Sequence, residues 1–304
     1  QGGSRRAFIE NGIAYVADWF SGLHIYDIRI PHQPRHLGNF HTPGSSKGVI
    51  VKDSIAYIGD DDHGLQIVDV SDPANPVKIS EVLTTGLAYT LKLVNDKVYL
   101  ADHRGGLHII DVSNIREPKI IGSFDTPGKS WALDVKDNLV FVADDLSGLL
   151  VFDVSNPKLP KQVGQFSPGG YAEDVVVKDN IAYVTFFDQG LYVLDISKPH
   201  AIKEISHIDI PGNARSVAIQ DGYAYISGWE SGLQIVDVSR PKFLSRLGYL
   251  DTEGSTWGAD VSGDYAYLWD WWGGIKIVDI RNSRKPKLVG RYQGRSQIQQ
   301  IQKI

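Results

Sequence analysis

The sequence of 304 residues contains no cysteine and no methionine. Without cysteine there are no disulfides, no thiolate catalysis, no cysteine-ligated zinc and no covalently attached haem. No apolar run approaches the ~18 residues that a membrane-spanning helix requires. No run rich in lysine and arginine occurs either, which argues against a nucleic-acid partner. Helical spacing of apolar residues is missing outside the last ten residues, so we expect an all-β chain without a membrane span.

The first residue is Gln1 rather than methionine. Removal of an export signal would explain this, and so would a chain end trimmed in another way. We expect a protein of the extracellular space or the cell surface, with the periplasm as an alternative compartment.

One short motif recurs seven times at an unbroken interval of 42 residues. The motif is Gly-Leu-x-Ile-x-Asp, with Ile or Val as occasional replacements, and its copies are Gly22–Asp27, Gly64–Asp69, Gly106–Asp111, Gly148–Asp153, Gly190–Asp195, Gly232–Asp237 and Gly274–Asp279. Each repeat contains four runs of β-branched and aromatic residues, separated by Gly, Pro, Asn and Asp. We name the four runs strands A to D.

Four antiparallel strands in about 40–45 residues are typical of one blade of a β-propeller. We therefore predict a seven-bladed β-propeller over residues 1–294. The predicted blades lie near residues 2–43, 44–85, 86–127, 128–169, 170–211, 212–253 and 254–294. Residues 295–304 are left over as a tail with one surplus strand, and they align in register with residues 1–10. We predict that the N-terminal strand completes blade 1. The tail then either packs elsewhere on the protein or adds to a sheet edge of another copy, which would give self-association.

The segments 64–70 (Gly-Leu-Gln-Ile-Val-Asp-Val) and 232–238 (the same seven residues) resemble the LVIVD repeat. Bacterial and archaeal surface proteins carry this propeller-forming repeat. The resemblance extends over essentially the whole chain and implies a propeller and export, but it supplies no catalytic residues.

The two faces of the predicted disc differ in sequence. The A–B and C–D turns share one face, which we call the C–D face, and they are monotonous (Lys-Asp, Ser-Asn-Pro). Asp at the end of every strand C is interpreted as an acceptor for turn N–H groups rather than as a catalytic group. The B–C and D–A loops share the opposite face, the B–C face. Their residues differ from blade to blade, and all seven tryptophans lie in or beside them.

Varied loops with aromatic side chains on a rigid scaffold are common binding sites. We therefore predict a binding or scaffold protein that recognises a carbohydrate or a protein on the B–C face. The predicted ligand-binding residues are Arg5, Trp19, Phe20, Trp131, Arg215, Trp229, Glu230, Trp257, Asp270, Trp271 and Trp272.

Three alternatives use other features of the chain. A hydrolase or lyase acting on polysaccharide or on a small polar substrate would use carboxylates of the B–C face, such as Glu230, Asp260 or Asp270. A subunit of a surface assembly would use the tail. A metal ion, with calcium as the first choice, would be bound by clustered acidic and histidine residues. The candidates for that site are Asp60, Asp61, Asp62, His63, Asp102 and His103, although the recurrence of Asp at the end of strand B favours a structural hydrogen bond to the following loop.

Overall fold

The computed structural model describes residues 7–270 and 274–292, and it forms seven four-stranded antiparallel sheets, each contiguous in sequence. The first four blades comprise β1 (Ala7–Glu10), β2 (Ile13–Asp18), β3 (Gly22–Asp27), β4 (Arg35–Phe40), β5 (Gly48–Lys52), β6 (Ile55–Gly59), β7 (Leu65–Asp69), β8 (Val77–Val82), β9 (Thr90–Val94), β10 (Lys97–Ala101), β11 (Leu107–Asp111), β12 (Lys119–Phe124), β13 (Ser130–Lys136), β14 (Leu139–Asp144), β15 (Leu149–Asp153) and β16 (Lys161–Phe166). The last three comprise β17 (Ala172–Lys178), β18 (Ile181–Phe186), β19 (Gly190–Asp195), β20 (Lys203–Ile208), β21 (Ser216–Gln220), β22 (Tyr223–Ser227), β23 (Leu233–Asp237), β24 (Ser245–Leu250), β25 (Thr256–Ser262), β26 (Tyr265–Asp270), β27 (Ile275–Asp279) and β28 (Lys287–Tyr292).

This is the predicted all-β propeller of seven blades. Every sheet lies inside the segment predicted for its blade, and the strands within each sheet follow the order A–B–C–D. The described residues contain no α-helix, only one 3-10 turn at Pro199–Ala201. In the part of the chain that the structure describes, no helix is long and apolar enough to cross a membrane.

The repeated motif places two apolar side chains of strand C in the packing between blades. In blade 2 these are Leu65 and Ile67, and in blade 6 they are Leu233 and Ile235, all four fully buried. One blade cannot bury both of its faces alone, so each sheet packs against its neighbours around the ring.

Short turns at the C–D face hold the strands together. Asp at the end of strand C accepts the backbone N–H of the residue two positions further on, as Asp153 does from Ser155 at 2.8 Å. This hydrogen bond lowers the pKa of the Asp153 carboxyl. The same N–H bond occurs at the other six copies, so the scaffold role predicted for this Asp agrees with the structure.

The ring closes where blade 7 packs against blade 1. One core cluster contains Ala14 and Tyr26 of blade 1 together with Trp269 and Ile277 of blade 7. Gly290 of strand D lies so close to the C–D turn of blade 1 that a Cβ atom there would collide with the carbonyl oxygen of Pro31.

The N-terminal strand, Ala7–Glu10, pairs with Ile13–Asp18 and completes blade 1 as predicted. The tail 295–304, with the self-association predicted for it, lies outside the described residues.

Candidate functional site

Two rows of side chains lie at the end of the central channel on the B–C face. The first row comes from the start of strand A and consists of Lys47, Tyr89, Trp131, Glu173, Arg215 and Trp257. The second row comes from the B–C loops and consists of Trp19, Asp61, His103, Asp145, Phe187 and Trp229. Backbone bridges such as Trp19 with Ser46 and Trp229 with Thr256 join the second row of one blade to the next blade.

Trp19 and Trp229 occupy these loops with positive φ angles of 29° and 40°. A bulky side chain is unfavourable in that region. The equivalent residues Asp61, His103 and Asp145 also have positive φ angles, so this conformation belongs to the B–C turn of the repeat. The neighbouring blade holds both residues there through backbone hydrogen bonds of 2.9 Å, from the N–H groups of Ser46 and Thr256.

Arg215 is the centre of the aromatic cluster between blades 5, 6 and 7. Its guanidinium carbon lies 4.5 Å from the ring centroids of Phe187, Trp229 and Trp257. One guanidinium N–H group also donates to Glu173 Oε2 at 3.0 Å. Cation–π contacts of this kind are stronger where water is excluded, and the Arg215 side chain is only 13% exposed.

Trp19 of blade 1 continues this cluster across the closure of the ring. Its ring packs edge-on against Trp257, with 6.2 Å between centroids. The Lys47 ammonium lies 3.2 Å above Trp19 and 5.3 Å from the Tyr89 centroid. Lys47 is buried and pairs with Asp61 at 3.6 Å.

Tyr89 carries the chain of contacts into blades 3 and 4. It stacks on His103 at 5.5 Å and meets Trp131 edge-on at 5.0 Å, while His103 and Trp131 are 4.7 Å apart. Burial, together with the nearby cations Lys129 and Arg104, lowers the pKa of His103 to about 4. His103 is therefore neutral at neutral pH and packs as an aromatic ring.

These contacts form one belt of rings and cations around the channel mouth. The aromatic belt consists of Trp19, Lys47, Tyr89, His103, Trp131, Phe187, Arg215, Trp229 and Trp257. Lys47 covers one indole face, and Arg215 lies against two more. Since a sugar ring would need an open indole face for stacking, the cations leave less of the belt available for that contact than the sequence suggests.

The structure brings together four of the predicted ligand-binding residues, namely Trp19, Arg215, Trp229 and Trp257. Phe20 adjoins them, with its ring 6.0 Å from that of Trp19 and 77% of its surface exposed. Trp131 lies further round the belt, and Glu230 is exposed in its loop. Arg5, Trp271 and Trp272 lie outside the described residues, as does the side chain of Asp270.

Two features of the site differ from the expectation based on sequence position. Trp269 is 3% exposed and packs in the core between blades 7 and 1, so it does not contribute to the B–C face. Conversely, Lys47, Tyr89 and Phe187 belong to the belt although they are absent from the predicted site. The signal that identifies them is their position in the 42-residue register, at which Trp occurs in other blades.

The candidate metal ligands have separate partners. Asp60 accepts hydrogen bonds from the Gly44 N–H at 2.9 Å and the Ser46 hydroxyl at 3.3 Å. Asp62 bonds to His63 at 2.8 Å. Burial raises the pKa of Asp61, which lies beside Lys47. Within residues 7–270 and 274–292, no group of three or more His, Asp or Glu side chains is arranged to hold a metal ion.

In blades 2, 3 and 4, the Asp at the end of strand B binds the D–A loop that precedes strand A of the same blade. Asp144 is fully buried and accepts from Thr126 Oγ1 at 2.6 Å, the Gly128 N–H at 2.8 Å and Ser130 Oγ at 2.9 Å. Asp102 accepts equivalent bonds and also the Nε2–H of His108 at 3.0 Å. The structural role predicted for this Asp is present, but its partner is the loop before strand A rather than the loop that follows the Asp.

The carboxylates of strand A line the channel and complete the backbone of the next blade. Asp134 Oδ2 accepts the Val177 N–H at 2.8 Å, and its Oδ1 pairs with Lys92 at 2.9 Å. Asp174 Oδ2 accepts the N–H of Val217 at 3.1 Å in the same way. These side chains satisfy N–H groups on the inner edge of strand A, which has no neighbouring strand to pair with.

Asp260 and Asp134 also line a channel cavity of about 250 Å³. Asp260 is half-buried at this cavity, and the loss of hydration there raises the pKa of its carboxyl to about 6. Glu230 lies apart from Asp260, in an exposed loop on the B–C face.

Similar solved structures confirm the architecture alone. The computationally designed Ika8 protein superposes with a TM-score of 0.68 at 13% identity, covering 96% of this chain and 87% of that one. Sqt1 of Saccharomyces cerevisiae superposes with a TM-score of 0.70 at 8% identity, covering 94% of this chain and 84% of that one. No curated protein matches the sequence.

The blades and their order define a seven-bladed β-propeller built from one repeated unit. The LVIVD repeat matches seven consecutive segments, at residues 2–42, 43–84, 85–126, 127–167, 169–209, 211–252 and 253–294. The chain belongs to the LVIVD-repeat family.

Proposed function

We propose that this propeller is a non-enzymatic binding module that engages a partner protein through its B–C face. Phe20 is the observation that carries the proposal. It is 77% exposed and adjoins Trp19, whose position is fixed by Lys47 and Trp257. Exposed aromatic rings beside a rigid, partly buried aromatic and arginine cluster are common anchors of protein interfaces.

A carbohydrate is the second candidate ligand. Trp131 and Trp257 are only half-buried, and Glu173 and Arg215 provide polar groups nearby. The cations that lie against Trp19, Trp229 and Trp257 favour the protein partner, because they occupy ring surface on which a sugar would stack.

Two exposed phenylalanines on opposite faces provide the test. Phe20 lies on the B–C face, and Phe243, which is 69% exposed, lies in a C–D turn. Wild type, Phe20→Ala and Phe243→Ala are each used to capture proteins from a surface extract of the native cells. The same three proteins are tested for binding to a glycan array. A protein whose capture falls at least tenfold with Phe20→Ala alone supports the proposal. Glycan hits with the same dependence establish the second candidate instead. Equal loss with Phe243→Ala, or no dependence on Phe20, overturns both.

The other functional expectations stay proposals. Location at the cell surface or in the extracellular space rests on the resemblance to surface proteins, and fractionation of the native cells tests it. A polysaccharide-active enzyme would release product that disappears on changing Glu230 or Asp260 to its amide. A surface assembly would lose its polymeric form on deletion of residues 295–304.

A further inference from the structure

The C–D face has an uneven charge that its repetitive sequence conceals. Each C–D segment is taken from the last residue of strand C to the second residue of strand D. The four segments of blades 2–5 contain seven Lys or Arg and seven Asp or Glu. The three segments of blades 6, 7 and 1 (residues 237–246, 279–288 and 27–36) contain nine Lys or Arg and three Asp.

The three Asp residues in blades 6, 7 and 1 are turned towards their own turns. Asp27, Asp237 and Asp279 each accept the N–H of the residue two positions on. Asp27 and Asp279 also bind Arg29 and Arg281. A further cation, Arg35, lies 3.5 Å from Asp27. The remaining six cations are exposed and make no ion pair within the described part of the chain: Arg240, Lys242, Arg246, Arg284, Lys285 and Lys287.

These turns form one continuous stretch of the rim. Gly248 of blade 6 lies against the backbone of Ser283 and Arg284, and Gly290 of blade 7 lies against Pro31 of blade 1. Because the three segments occupy the same register of the repeat, their cations face the same side of the disc. We call this stretch the basic rim.

Two large apolar side chains are exposed within the basic rim. Phe243 follows Lys242 and is 69% exposed, and Ile30 follows Arg29 and is 52% exposed. Cations interleaved with exposed apolar side chains are typical of surfaces that bind an anionic bilayer, where the apolar groups enter the headgroup region.

The basic rim does not reach the centre of the face. The A–B turns of the same blades, which lie nearer the channel, contain Glu10, Asp221 and Asp264 and no Lys or Arg. An anionic surface would therefore attract the outer edge of blades 6, 7 and 1 and repel the centre, so the disc would dock tilted on that edge.

We propose that the basic rim is a peripheral docking surface for a membrane rich in anionic lipid. It is separate from the B–C face, and the two sites can be occupied together because they lie on opposite sides of the disc.

Vesicle sedimentation tests this proposal with the whole chain. The protein is mixed with phosphatidylcholine vesicles, with or without phosphatidylglycerol, at low and at high salt. We expect binding only to the anionic vesicles and a steep fall with added salt, because exposed charges are screened.

A matched pair of triple variants tests the position of the site. Lys242→Gln, Lys285→Gln and Lys287→Gln together remove three charges from the basic rim. Lys119→Gln, Lys158→Gln and Lys161→Gln remove three charges from C–D segments of blades 3 and 4. The first variant should lose about 100-fold in vesicle affinity, and the second should bind like wild type. Phe243→Ala should also weaken vesicle binding relative to wild type. Its proportional effect should be larger at high salt than at low salt, because charge contributes least there.

Equal loss in both triple variants, or equal binding to neutral vesicles, overturns the proposal. Binding to a soluble polyanion such as DNA without binding to vesicles also overturns it, and assigns the basic rim to a polymer. Since vesicles contain no protein partner, these outcomes are independent of whether the B–C face binds its predicted ligand.

Discussion

The two faces of this propeller use the same backbone and treat their charges in opposite ways. On the B–C face, cations are buried against rings and beside acids, as Lys47 is by Trp19 and Asp61. On the C–D face, cations such as Lys242 and Lys285 stay in water. Side chains at the channel mouth contact one another, whereas six cations of the basic rim make no ion pair within the described residues. The blades therefore differ from one another in side-chain packing on the B–C face and in net charge on the C–D face.

The largest effect should come from Arg215→Ala on the B–C face. This change removes the cation from three rings and leaves the carboxylate of Glu173, which is 4% exposed, without that partner. We expect a loss of about 3 kcal/mol in the free energy of unfolding, measured by urea denaturation. Arg246→Ala on the basic rim is the control and should change stability by less than about 0.5 kcal/mol. Similar losses in both variants would remove the distinction between the faces.

Asp144→Ala should have the next largest effect. The carboxylate is fully buried and holds the D–A loop through three hydrogen bonds, so its removal leaves donors unsatisfied. We expect a loss of about 2 kcal/mol, measured in the same way. Asp153→Ala, in the C–D turn of the same blade, should cost clearly less because its site is open to water. An equal or larger loss at Asp153 would contradict the assignment.

His103 should make the stability of the protein depend on pH. The pKa of His103 is about 4 in the folded protein, below the usual value of 6.5. Between these values the unfolded chain binds more protons at this site, so the site's contribution to stability is present above pH 6.5 and is lost as the pH falls to about 4. The loss reaches about 2 kcal/mol by pH 5.

The His103→Gln variant should remove this slope, measured as the difference from wild type in unfolding free energy across that range of pH. His200→Gln, at an exposed position of a C–D turn, is the matched control. A flat difference curve for His103→Gln would contradict the prediction.

The smallest effect on stability should come from the two exposed phenylalanines. Phe20→Ala and Phe243→Ala should each change the free energy of unfolding by less than about 0.5 kcal/mol. Their binding defects should be reciprocal, with partner capture lost only in the first and vesicle binding reduced only in the second. A variant defective in both assays would mean that the faces do not act separately.

The sequence was sufficient for the fold because the 42-residue repeat fixes strands, turns and blade number together. It also identified the cap formed by Asp153 and its equivalents, since that contact lies within two residues. The neighbouring positions of Trp19, Trp229 and Trp257 followed from ring closure alone.

Contacts between blades could not be obtained in the same way. Whether Lys47 points to solvent or lies over Trp19 depends on the distance between two blades, which no local pattern encodes. Trp269 adjoins a predicted loop, but it is part of strand B. Successive side chains of a strand point to opposite faces, and that of Trp269 points into the core. The charge of the basic rim is also hard to recognise in the sequence, because similar turn motifs hide the difference in their charged positions.

The contacts along the channel give the ring a direction. Asp134 completes the inner edge of blade 5, Asp174 that of blade 6, and Ser216 that of blade 7 through the N–H of Ala259. Each of these blades thus depends on the blade before it for an acceptor that it cannot supply itself. If one repeat were removed and the ring stayed open, the first blade would have backbone N–H groups without an acceptor. A change in the number of repeats should therefore be tolerated only if the remaining blades close into a ring again.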